Sequence, residues 1–151
     1  MRNYFSSIVF FPCLFALISC KGESSSSDLN QQNIEHSYDE ISEWEITWKD
    51  TFSMLNPHYF VYFYSPTCSH CTRIKDVIIE YALDNESMYF IRFNDEVVVS
   101  GDVSGTIGLT SVENLSILGT PALLEVNDKV LETNIAGEKA ILDHLNLKIN
   151  E

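Results

Sequence analysis

Positive charge is scarce in this chain: nine Lys and Arg stand against 22 Asp and Glu, and the formal net charge is −13. That balance excludes nucleic acid or a bare anionic lipid surface as a direct partner, since either would be repelled at contact range. Cysteine is rarer still, with four in 151 residues. A disulfide framework in a secreted domain uses several spread cysteines, so a scaffold of that kind is excluded. The uncharged run from Tyr4 to Ile18, interrupted by Pro12, is short for a membrane helix, which needs about 20 apolar residues. No internal repeat is visible. No second pair of metal ligands stands at zinc-site spacing from the cysteines, and His36, His58 and His144 are scattered, so no metal is expected.

Arg2 followed by the apolar run reads as a signal peptide. It ends in Leu17-Ile18-Ser19-Cys20, which resembles a bacterial lipoprotein lipobox. The resemblance implies cleavage before Cys20, acylation of Cys20, and a protein held by lipid at the extracytoplasmic face of the cell membrane. The plainer alternative is an ordinary secretory signal that leaves Cys20 a spare thiol. Lys21 to Ser37, with Ser24 to Ser27 in a row and few apolar residues, reads as a tether. Seventeen flexible residues would span roughly 20–25 Å. The expected organisation is a leader over 1–19, the lipidated cysteine and tether over 20–37, and one folded domain over 38–151. With Cys13 lost in the leader and Cys20 lipidated, only Cys68 and Cys71 remain. Bridging two residues so close closes a tiny loop and stabilises little by chain entropy, so a structural role explains the pair poorly.

Ser65-Pro66-Thr67-Cys68-Ser69-His70-Cys71 stands where a strand-like run, His58 to Tyr64, gives way to a helix-like run, Thr72 to Leu83. A cysteine capping that helix would face unpaired N–H groups and the positive end of the helix dipole. Both favour thiolate, the reactive form. Cys71, one turn on, is placed to attack a mixed disulfide formed at Cys68. The dipole typically supplies about 0.3–1 kcal/mol, which is worth roughly one pKa unit at most. Further acidification needs direct hydrogen bonds or a cation, and the imidazole of His70 is the candidate for the second. An exposed His70 without a role is the bland alternative.

This stretch, with the strand before it, the helix after it and Gly119-Thr120-Pro121 opening a later strand, resembles the thioredoxin superfamily over about Ile41 to Ile149. The resemblance implies a thioredoxin-like three-layer α/β sandwich with a mixed central sheet. It implies that Thr120-Pro121 is a cis bond beside the cysteines, with Thr120 and Pro121 presenting the backbone of an extended substrate. A trans proline starting an edge strand is the alternative. Two positions depart from the pattern. Tyr62 stands where thioredoxin has a buried acid, and Thr67 replaces its Trp before the first cysteine.

Hydrophobic periodicity completes the expected order of elements. Residues 38–55 carry mixed signals, compatible with a strand and then a short helix over 50–55. Tyr59 to Tyr64 lacks alternation, as in a strand covered on both faces. Ile74, Val77, Ile78, Tyr81 and Ala82 mark one buried helix stripe. Met88 to Phe93 reads as a strand and Glu96 to Leu109 as an inserted loop. Thr110-Ser111-Val112-Glu113 reads as a capping box opening a helix to Leu118. A hairpin over 121–134 turning at Asn127-Asp128 and a last helix from Gly137 to Leu147 close the domain. The expected function is a membrane-anchored thiol–disulfide oxidoreductase, monomeric and without an organic cofactor. Cys68 would attack, Cys71 resolve and His70 tune, with protein thiols or disulfides and a redox partner protein as partners. A tethered binding or accessory module with an incidental cysteine pair is the alternative.

Overall fold

The computed structural model describes residues 35–149. The expected leader 1–19, Cys20 and residues 20–34 of the tether lie outside the described residues. Four strands, β1 (His58–Tyr64), β2 (Met88–Arg92), β3 (Ala122–Asn127) and β4 (Val130–Ala136), form one sheet in the order β2-β1-β3-β4. β1 runs parallel to β2 and antiparallel to β3, and β4 is antiparallel to β3. β1 is thus an interior strand, and every residue of it after His58 is buried. Two covered faces explain why its aromatic and branched residues do not alternate with polar ones.

Both α-helices, α1 (Ser69–Asp84) and α2 (Glu138–Leu145), pack on one face of the sheet. Cys71, Ile74, Ile78, Ile79 and Ala82 of α1 meet Ile141, Leu142 and Leu145 of α2 over Phe60, Tyr62, Tyr64, Phe90 and Leu123. Val77 and Tyr81, expected on the buried stripe, are partly buried, and Ile79 takes the deeper place. The opposite face, built on Tyr59, Val61, Phe63, Ile91, Leu124 and Val126, is covered by Trp48, Phe52, Val97, Leu115 and Ile117. Those residues come from 3₁₀ turns and extended chain. The architecture is the expected thioredoxin-like α/β sandwich with a mixed sheet. Among the described residues no helix is long and apolar enough to cross a membrane.

Three local expectations give way. Residues 38–55 form neither a strand nor a helix over 50–55; 3₁₀ helices cover Tyr38–Trp44 and Trp48–Asp50, and Glu45 makes a single parallel bridge to Phe90. The Ser37–Glu40 capping pair starts the first, with the Ser37 N–H donating to Glu40 at 2.6 Å. No helix runs from Thr110 to Leu118. The Ser111 hydroxyl donates to the Glu113 carboxylate instead of capping a backbone N–H. Ile117 bridges Val99, and its N–H donates to the Val98 carbonyl at 2.9 Å, so backbone pairing with the inserted segment holds this stretch extended. The hairpin turns one residue later than expected: Asp128 and Lys129 take φ of 46° and 66°, the pair of left-handed residues that a tight hairpin's twist demands. A bulge beside Glu125 and Val126 then lets β4 run on to Ala136.

Candidate functional site

The pre-helix turn Ser65–Thr67 leaves β1 at its C-terminal end and delivers Cys68 to the N-cap of α1. Its backbone is extended there (φ −85°, ψ 115°), and its sulfur takes the place of a capping oxygen by accepting the Cys71 N–H at 3.2 Å. On the other side the Cys68 thiol donates to the Thr120 carbonyl at 3.3 Å. The Thr120-Pro121 bond is cis. The structure therefore brings Cys68, Cys71, Thr120 and Pro121 together from two chain segments, with both cysteines as free thiols.

The two sulfurs occupy opposite environments. Cys68 is half-buried, whereas Cys71 is wholly buried under α1. Burial is the largest single influence on Cys68 and would raise its pKa. Hydrogen bonds from the Cys71 side chain, the Cys71 N–H, the Thr120 side chain and the His70 N–H together outweigh it, and Cys68 is held below the ordinary thiol value. For Cys71 burial wins, helped by the neighbouring Cys68; a hydrogen bond from the Ser65 backbone opposes only in part, and the thiol is pushed up to about 11. One sulfur is shifted toward the anion and the other is kept protonated.

His70 reaches Cys68 through its backbone N–H. Its ring points elsewhere: it is exposed, with Nδ1 accepting from the Arg73 guanidinium and lying 3.5 Å from a Glu138 oxygen. Arg73 Nε donates to the same Glu138 oxygen at 2.8 Å, so this cluster joins the first turns of α1 and α2. Of the two routes to an acidic Cys68, direct hydrogen bonds or a cation, the first is thus present in the backbone of α1 itself.

Tyr62, at the acid position of the resemblance, is fully buried on the α1 face and packs in the same cluster as Cys71. Sequence reasoning missed its companion, Tyr38. That ring stacks on Tyr64 at 3.9 Å with an interplanar angle of 18° and joins the cluster from the 3₁₀ helix. The available signal was the Ser37–Glu40 capping pair, which marks a helical start at Tyr38. His58 and His144, far apart in the chain, both meet the Glu125 carboxylate, at 2.8 and 3.1 Å. Glu125 is therefore engaged at the far end of β3 and does not serve the cysteines. Among the described residues no group of three His, Cys, Asp or Glu side chains, this one included, is arranged to hold a metal ion.

Neither a protein-family model nor a curated protein matches the chain. Among solved structures it is similar to a thioredoxin from Plasmodium falciparum, at 19% identity and a TM-score of 0.44, over 68% of this chain and 95% of that one. It is similar also to mitochondrial thioredoxin 3 from Saccharomyces cerevisiae in its oxidized form, at 16% identity and a TM-score of 0.43, over 68% and 92% of the two chains. A third likeness is to a structure describing thiol resolution in a yeast mitochondrial 1-Cys peroxiredoxin, at 14% identity and a TM-score of 0.46, over 74% and 98%.

Proposed function

We propose that the protein is a thiol–disulfide oxidoreductase that exchanges electrons with protein cysteines through Cys68 and Cys71, and that it works outside the cytoplasm on a lipid anchor at Cys20. The observation that carries the redox reading is the placement of two thiols one helical turn apart, the half-exposed Cys68 sulfur capping α1 and accepting the Cys71 N–H at 3.2 Å, which holds it below the ordinary thiol value, while Cys71 is buried and raised. A structural cysteine pair has no need of that contrast.

In the reducing direction the Cys68 thiolate attacks one sulfur of a substrate disulfide. A Cys68–substrate bond forms, the substrate S–S bond breaks, and the departing sulfur leaves with the electron pair and takes up a proton. Cys71 then loses its proton and attacks Cys68 Sγ. The Cys68–Cys71 disulfide forms and the second substrate thiol departs, so two electrons have passed to the substrate. The oxidising direction is the same sequence reversed. Thr120 and Pro121, beside Cys68, are the backbone against which an extended substrate segment would lie. Stabilising the Cys68 thiolate stabilises the reduced pair and makes the disulfide more oxidising.

The lipobox-like Leu17-Ile18-Ser19-Cys20 supports the anchor, and more than one acyl chain on that cysteine would hold the domain stably. Two experiments test the whole. Incubating the Cys71→Ser variant with cell extract should accumulate partners covalently on Cys68, whereas Cys68→Ser should trap none; an accessory module would give no adducts in either. Replacing Cys20 by Ala should move the protein from the membrane fraction to the soluble one, and unchanged fractionation would remove the anchor from the proposal.

A further inference from the structure

Three buried side-chain polar atoms lack a hydrogen-bond partner among the described residues: the hydroxyls of Tyr38 and Tyr62, and Asn134 Oδ1. The two hydroxyls belong to one place. Tyr62 is wholly buried on β1 and Tyr38 packs from the 3₁₀ helix, both against the cluster that contains Cys71. The third phenol there, Tyr64, is already committed, since its hydroxyl donates to the Glu45 carboxylate. Leaving a buried hydroxyl unpaired costs free energy that a phenylalanine would not incur. Two such hydroxyls in the packed cluster that also holds a reactive thiol point to a partner that forms only during the reaction.

We propose that the hydroxyls of Tyr62 and Tyr38 are held ready as hydrogen-bond donors to Cys71 when that thiol gives up its proton to resolve a mixed disulfide. The inference rests on the oxidoreductase reading of the pair. In the step concerned, the Cys71–Cys68 bond forms and the Cys68–substrate bond breaks. The proton that Cys71 loses is the one that the departing substrate sulfur gains. The negative charge that passes through Cys71 Sγ does so in a buried site, where an anion without donors is costly.

The groups bearing on this site come from every element packed there. Cys68 and the Ser65 N–H adjoin Cys71 from the start of α1 and the turn before it, and Thr120 adjoins it from the loop before β3. Tyr62 and Tyr64 face it from β1, the latter tied to Glu45, while Tyr38 comes from the 3₁₀ helix and feels Asp76 of α1. Burial raises both free phenols well above the ordinary tyrosine range, followed by the neighbouring thiols for Tyr38 and by Tyr38 and then the thiols for Tyr62. They stay protonated through the working range, so they act as donors and not as bases.

The test is stopped-flow reaction of the reduced protein, carrying Cys13→Ser and Cys20→Ser so that Cys68 and Cys71 are its two thiols, with the aromatic disulfide 5,5′-dithiobis(2-nitrobenzoate). The first equivalent of coloured thiol reports attack by Cys68, and the second reports resolution by Cys71. In Tyr62→Phe and in the double variant with Tyr38→Phe, the first phase should keep its rate. The second should slow by about tenfold or more, the loss expected for a hydrogen bond to a charged group, and its pH midpoint should move upward. The melting temperature should hold or rise, which a merely structural hydroxyl would not permit. Equal second phases in wild type and variants, or both phases slowed together with a lower melting temperature, would overturn the proposal. Should Tyr62→Phe not fold, Tyr38→Phe alone, at a half-buried position, carries the same comparison. A wild-type protein that releases no second equivalent would instead bring down the oxidoreductase reading itself.

Discussion

At Cys68 and Cys71 a single turn of helix separates two acidities, and the sign of each shift sets a pH window. Cys71 is raised in the folded state to about 11. Its contribution to stability is therefore fully present below the ordinary thiol value of about 8.5 and is lost as pH rises through the folded value. Cys68 is lowered, so its contribution is present above the ordinary value and is lost as pH falls through the folded one. Melting curves of the reduced protein should show a loss on the alkaline side that Cys71→Ser abolishes. Alkylation by iodoacetamide should find Cys68 reactive at a pH where a free cysteine is still mostly protonated. Loss of the His70 ring is expected to change that reactivity little, because His70 acts on the sulfur through its N–H and its ring lies on Arg73 and Glu138. A His70→Ala variant with Cys68 titrating like a free thiol would contradict this.

Among the elements, α1 does two tasks with one sequence: its first turn holds the sulfur, and its buried stripe fastens it to the sheet. Ile78→Ala removes a fully buried side chain from that stripe and should cost about 2–5 kcal/mol in a denaturant titration. The Arg73–Glu138 pair joining α1 to α2 lies at the surface, with Arg73 exposed and Glu138 half-buried. Pairs of this kind are worth about 0–1 kcal/mol, so Arg73→Ala should leave stability nearly unchanged. The inserted segment is fastened differently. Asn134 on β4 donates to Thr106 Oγ1 at 2.9 Å and to the Ser116 carbonyl at 2.8 Å, tying both ends of the covering chain to the sheet. Asn134→Ala would leave the Ser116 carbonyl unpaired, at a cost of about 1–3 kcal/mol. Hydrogen exchange should then quicken over residues 98–117 while α1 keeps its protection.

For the molecule as a whole, the proposed function would couple the oxidation state of the Cys68–Cys71 pair to global stability. The hydrogen bonds gathered on Cys68 favour its thiolate only in the folded, reduced protein. The disulfide would close a loop too short to restrict the unfolded chain much. The reduced form should therefore melt above the oxidised form, and calorimetry on the two forms measures the difference directly. An oxidised form that melts higher would mean that the thiolate hydrogen bonds contribute less than the bridge. Charge acts at the same scale: at −13 the molecule repels acidic surfaces, so a lipid on Cys20, and not the folded surface, would have to supply membrane affinity.

Much of the fold and of the site is legible in the order of residues alone. The unalternating run His58–Tyr64 declares a strand covered on both faces. The spacing of Ile74, Ile78 and Ala82 declares a buried helix stripe, and Cys68 and Cys71 at their junction mark the candidate site, because periodicity and end-capping are local properties of a chain. The stretches at 38–55 and 110–118 are not legible, since weak local preferences there yield to partners far away, Phe90 for Glu45 and Val99 for Ile117. Only the tertiary structure decides that the His70 ring turns to Arg73 and Glu138, that Glu125 belongs to His58 and His144, and that Tyr38 packs into the cluster that holds Cys71. The sequence by itself determined which atoms could carry the chemistry; packing determined their acidity, because desolvation and hydrogen bonds depend on neighbours that the order of residues does not name.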